Sequence, residues 1–193
     1  MSKSKESTLF NMLMVLLTVT LFAGLSLSIV NEITKEPKAK AKEKQKIKAL
    51  KLVLPPFDNN PVNEKMMIKQ GDTKDSIEVF PAKLNAKNVG KAIIGFSNSG
   101  FNGLVKLMVG FDNSGNVYNI VVLEQKETPG LGTKMKDEKF IKQYKNHNPA
   151  KTDIRVKKDG GEIDALTGAT ISTRAFSGAV QMASDIYNGK KSK

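Results

Sequence analysis

The sequence predicts an α+β domain built on an antiparallel sheet with flanking helices, preceded by one N-terminal transmembrane helix. Three observations carry this. Residues 8–30 contain no charged side chain. Between residues 77 and 123, short apolar runs are separated by turn-forming residues, so hairpins outnumber parallel crossover units. Only two helical patterns follow, the longer one near the C-terminus. A doubly wound nucleotide fold would require regular strand–helix alternation, which is absent.

Taken in order, residues 1–7 form a short tail, and residues 8–30 form the apolar run. At about 1.5 Å per residue that run spans a hydrocarbon layer roughly 30 Å thick. The rival is a cleavable signal peptide with Lys3 and Lys5 as its basic start. The run is long for that purpose, and Ser26-Leu27-Ser28 is a poor cleavage site. Residues 31–56 read as a Lys-rich spacer, helical after Pro37 and closed by Pro55-Pro56. Residues 57–77 read as polar and irregular.

The folded domain then occupies residues 57–193, with its core at about 78–189. Ile77–Pro81 and Ala92–Phe96 read as strands. Gly103–Phe111 and Val117–Leu123 read as the arms of a hairpin turned at Asp112-Asn-Ser-Gly-Asn116. Lys136–Lys145 reads as a helix with Phe140, Ile141 and Tyr144 on one side. Asp153–Lys157 reads as a strand ending at the turn Asp159-Gly160-Gly161. Ile171–Asn188 places Ile171, Ala175, Ala179, Met182, Ala183 and Ile186 on one helical face, stopped by Gly189.

Composition removes several function classes. The formal net charge is +12, but half of the excess lies in residues 1–51, beside the apolar run. A basic stretch at a membrane surface accounts for that placement. With only two arginines, bidentate recognition of phosphates or bases is poorly provided for, so no nucleic acid is expected. The absence of cysteine excludes disulfides, thiolate metal sites, iron–sulfur ligation and lipoprotein anchoring. One histidine, His147, is too few for a multi-His metal site, and no resident metal is expected. Asp112, Asp137 and Asp159 suit turns and helix starts better than a catalytic pair. Charge alone leaves the topology open. The many lysines after residue 34 favour a cytoplasmic C-terminal side, yet long domains translocate largely regardless of flanking charge.

The chemistry lies in Asp164-Ala-Leu-Thr-Gly-Ala-Thr170, which runs into the last helix. A helix start presents unpaired N–H groups and the positive end of the helix dipole, which favour a phosphate. Gly168 and Ala169 keep bulk away from the backbone there. A threonine hydroxyl is a poor unaided nucleophile, so Thr170 reads as an acceptor for a phosphate ester. The plain alternative is an ordinary helix start capped by Thr167 or Thr170. A second motif, Glu127-Thr-Pro-Gly-Leu-Gly132, is on its own a turn set by Pro129 and two glycines. Ser97–Gly103 lacks a phosphate-loop signature and reads as a structural turn.

Together these two motifs resemble the family of proteins that carry covalently attached FMN. It includes the G subunits of Rnf-type electron transport complexes and the related C subunits of sodium-pumping NADH:quinone reductases. The resemblance covers residues 78–189 and the N-terminal anchor. It implies that a separate flavin transferase esterifies Thr170 with the FMN phosphate, with Asp164, Thr167, Gly168 and Ala169 completing the attachment motif. Asp164 either caps the approach to the helix or helps hold a cation during transfer. The resemblance also implies that Glu127, Thr128, Gly130, Leu131 and Gly132 line the isoalloxazine. Leu131 would pack on its face, and Glu127 or the backbone amides would bond its polar edge. The implied protein is an electron-relaying component without substrate chemistry of its own. It works beside other membrane subunits and lipid, its domain facing away from the cytoplasm. Two readings stand beside it: a freestanding extracytoplasmic flavoprotein reductase domain, and a non-catalytic membrane-tethered basic binding module.

Overall fold

The structure, a computed structural model, describes residues 8–69 and 76–190. The basic tail with Lys3 and Lys5, and residues 70–75 of the segment expected to be irregular, lie outside the described residues. The chain divides into two compact units between Lys44 and Gln45.

The first helix, α1, runs unbroken over Leu9–Val53 and contains Pro37. It therefore carries both the apolar run and most of the expected spacer. Lys, Ala, Glu and Leu are strong helix formers, and residues 31–53 are rich in them. Lys40 pairs with Glu36 one turn earlier at 2.6 Å. Within the apolar run, the hydroxyls of Thr18 and Thr20 return to the carbonyls of Met14 and Leu16, which removes their polarity from the helix surface. By length and composition the helix can cross a membrane.

The second unit holds the sheet. Its strands are β1 (Met66–Lys69), β2 (Ser76–Leu84), β3 (Lys87–Gly100), β4 (Gly103–Asp112) and β5 (Val117–Glu124). They pair antiparallel in sequence order, the α+β arrangement the sequence predicts. The 310 turn Gly132–Lys136, the short helix α2 (Glu138–Ile141) and the long helix α3 (Thr170–Tyr187) follow.

Alternation along the strands builds two cores. Ile93, Val105, Leu107, Val109 and Phe111 face Phe176, Ala179, Val180 and Ala183 of α3. Ala92, Ile94 and Met108, on the opposite face, bury Ala49, Leu50 and Val53 from the last turns of α1. Both helices approach the sheet over glycine. A side chain at Gly95 would strike the Ala179 carbonyl, and one at Gly110 the Val53 carbonyl. Phe140 meets Tyr144 and the α3 residue Phe176 edge-on, while Tyr144 and Phe176 are tilted, with centroids 5.0–5.6 Å apart.

Several local expectations differ from the structure; β3, for one, continues through Ser97–Gly100, within the segment read as a turn. Lys136–Lys145 is not one helix. Asp137 takes an extended conformation (φ −70°, ψ 135°) and separates the 310 turn from α2, although Phe140, Ile141 and Tyr144 are buried together. Asp153–Lys157 is not a strand. The Asp153 carboxylate accepts from the Arg155 N–H and guanidinium, forming a side-chain-closed turn that leaves only the Val156–Ile163 bridge. Met66–Lys69, inside the stretch read as irregular, is a short edge strand against β2.

Candidate functional site

The start of α3 is shaped by backbone geometry and not by a capping side chain. Gly168 adopts φ +72°, a left-handed conformation costly for other residues. The residue before the helix is Ala169, so neither Thr167 nor Thr170 supplies a cap. Thr173, one turn in, holds the corner instead. Its hydroxyl donates to the Ala169 carbonyl at 2.9 Å and accepts the Leu166 N–H at 3.1 Å. Thr170 is the first helical residue and is half-buried. Among the described residues its hydroxyl has no hydrogen-bond partner. The first-turn N–H groups thus remain for an outside acceptor, and the dipole of an 18-residue helix favours an anion there.

Asp164 lies a short distance upstream and is exposed. Its carboxylate pairs with Lys157 at 2.7 Å, and Gln143 receives its N–H at 2.7 Å. Of the two roles left open for it, capping is not formed in this structure. Nearby, Arg174 on α3 holds Asp159 through two hydrogen bonds of 2.7 Å. That guanidinium keeps the Asp159 carboxyl below its ordinary value and fastens the loop before the motif to the helix.

The second motif folds as a tight loop against α3. The Gly130 N–H donates to Thr133 Oγ1 at 3.0 Å, and the Leu131 N–H to the Thr128 carbonyl at 3.2 Å. Glu127 is 4% exposed. One of its carboxylate oxygens accepts from Ser172 Oγ at 2.6 Å, the other from the Asn102 N–H at 3.2 Å.

The two motifs, 40 residues apart between Glu127 and Thr167 in the sequence, meet at one open cleft of about 370 Å³. Glu127, Thr128, Leu131 and Gly132 line it together with Gly168, Ala169 and Thr170. Asp164, Thr167 and Gly130 stand outside the lining. The sequence does not single out three further lining residues: Phe101, Ile171 and Ser172. Phe101 sits in the Ser97–Gly103 segment, which reads as a mere turn. Its one signal is a large apolar residue at a hairpin tip, where a side chain is exposed by default.

These residues fit FMN. Phe101, Leu131 and Ile171 are 65%, 42% and 45% exposed around the cleft, an apolar rim that a flat ring would cover. A Cβ at Gly168 would meet nothing closer than Leu131 Cδ2 at 3.4 Å, leaving the backbone open beside Thr170. An apolar slot with amide donors at one end suits a planar ring that carries a phosphate.

A family model described as an FMN-binding domain matches residues 100–185, from the β3–β4 tip through most of α3. Among curated proteins, the G subunit of the ion-translocating oxidoreductase complex of Shewanella piezotolerans is 34% identical, covering 98% of this chain and 93% of that protein. Its namesake from Photorhabdus laumondii is 34% identical over 86% of this chain and 85% of its own. A crystal structure of Shewanella oneidensis NqrC aligns at 19% identity and a TM-score of 0.46, over 65% of this chain and 61% of that one. The matched model makes residues 100–185 similar to FMN-binding domains. More narrowly, the chain belongs to the family of G subunits of ion-translocating oxidoreductase complexes.

Proposed function

We propose that this chain is the membrane-anchored flavoprotein component of an Rnf-type ion-translocating electron transport complex, relaying electrons through FMN esterified to Thr170. The observation that carries this reading is a threonine hydroxyl with no hydrogen-bond partner among the described residues, on an uncapped helix start beside an apolar-rimmed cleft. Bound FMN supplies reversible one- and two-electron redox chemistry.

The chain's own residues do the rest. Thr170 supplies the ester oxygen and loses its proton when a flavin transferase loads the site from FAD, AMP leaving. The first-turn N–H groups of α3 bind the phosphate oxygens. Leu131, Ile171 and Phe101 would cover the ring and exclude water, with residues of the 127–132 loop lining the same cleft as Thr170. The ester keeps the cofactor in place in a compartment where free FMN is scarce. α1 holds the domain at the membrane through its uncharged run, among lipid and the other subunits, with the domain on the extracytoplasmic side.

Intact mass of the chain produced with an active flavin transferase tests the attachment. An added mass of FMN less water is expected, lost in Thr170→Ala and retained in part in Thr170→Ser, which keeps a hydroxyl. Equal labelling of Thr170→Ala sinks the assignment. Protease added to intact spheroplasts tests the side of the membrane, where digestion of the domain is the expected result.

A further inference from the structure

Resting on the reading of the cleft as the FMN site, we infer that Glu127 is a positioning residue that acts through Ser172 and the β3–β4 tip. One buried carboxylate fastens three separate segments. It sits at the head of the 127–132 loop, accepts from Ser172 Oγ on the first turn of α3, and accepts the N–H of Asn102 at the hairpin tip. The hairpin tip carries Phe101 and the first turn of α3 carries Thr170, so the carboxylate sets the distance between the ring's cover and its tether.

The surroundings fit that role. Burying a carboxylate is costly unless donors satisfy it, and among the described residues Glu127 has no cationic partner. Its donors are a hydroxyl and a backbone amide, both uncharged and each directed at one oxygen. Two glycines leave the space it fills. A Cβ at Gly100 would stand 2.6 Å from Glu127 Oε1, and one at Gly132 would stand 2.7 Å from Ser172 Oγ. With both oxygens engaged by protein, Glu127 fixes the part of the cleft wall that it lines.

Full-length chain made with the transferase provides the test. Ser172→Ala removes one donor and leaves the charge in place. In the flavin-loaded variant, the visible circular dichroism and midpoint potential are expected to move toward those of free FMN. Glu127→Ala should give at least the same dichroism change, with no further change in the double variant. Glu127→Gln should recover the lost dichroism, because its carbonyl can accept from Asn102 while its amide donates to Ser172. In chain made without the transferase, Asn102 amide exchange should rise about tenfold in Glu127→Ala, the order set by one lost hydrogen bond. A Ser172→Ala flavin identical to wild type in both properties overturns the inference, as does a Glu127→Gln variant no better than Glu127→Ala. Wild-type chain without adduct sinks the covalent reading alone, and the amide exchange then decides the role of Glu127.

Discussion

Gly130 and Gly132 occupy one motif for different physical reasons. At Gly132 a Cβ would meet Glu127 Cβ and Ser172 Oγ at 2.7 Å, so the position is closed by packing. At Gly130 nothing lies within 4 Å of a Cβ, but φ is +75°, which only glycine adopts cheaply. Gly130→Ala should therefore cost about 1 kcal/mol of strain, and Gly132→Ala about 1–3 kcal/mol through overpacking. Urea denaturation of both variants checks the ranking, and equal costs would refute it. Tyr144 gives a second residue-scale expectation. Burial pushes its phenol well above the ordinary value of 10.0, only partly offset by its hydrogen bond with Ser177. The unfolded chain deprotonates first, so stability is full below pH 10 and declines as pH rises through the interval above it. Tyr144→Phe should flatten that alkaline decline in thermal melts. The position of Thr170 at a helix start was readable from sequence at this scale because it follows from neighbouring residues. Ser172 was not, because a serine inside a helical pattern shows its partner only after folding.

Among elements, the last turns of α1 and the β1–β2 pair are joined by Glu78. Burial raises its carboxyl, but hydrogen bonds from Lys46 and Lys65 outweigh that and hold it below the ordinary 4.5. A lowered carboxylate contributes stability above the unfolded value and loses it as pH falls through the folded one. Glu78→Gln should thus be less stable than wild type at neutral pH, the gap closing below about pH 4.5. A gap that persists into acid would assign the effect to packing. The β4–β5 hairpin was legible because two apolar runs flank the Asp112–Asn116 turn, while the register shifts along β3, β4 and β5 were not. The four-residue edge strand β1 was not, since Met66–Lys69 is too short to display a period and half of its pairing lies in β2. Asp153–Arg155 misled because apolar alternation there is overridden by a side-chain-to-backbone turn.

Across the whole molecule, the boundary between the two compact units falls inside a continuous helix. Residues 45–53 belong with the sheet, where Ala49, Leu50 and Val53 are at most 2% exposed. A fragment starting at Gln45 should be soluble, fold cooperatively and accept flavin. One starting at Leu54 should lose that core, expose the second face of the sheet and melt at a lower temperature. Equal melting temperatures for the two fragments would refute this division. Full-length protein should stay in the membrane pellet after carbonate washing, as expected of a spanning helix.

By itself the sequence determined the elements that depend on neighbours along the chain: the uncharged run of residues 8–30, the hairpins, and the last helix with a threonine at its start. Only the tertiary structure decided which residues meet at the cleft. It brought Glu127 onto Ser172 and Asn102, placed Phe101 in the same cleft as Thr170, and turned the tail of the Lys-rich segment into one face of the core. Those contacts join positions dozens of residues apart, and their energy depends on burial and direction, which appear only when the sheet has brought them together.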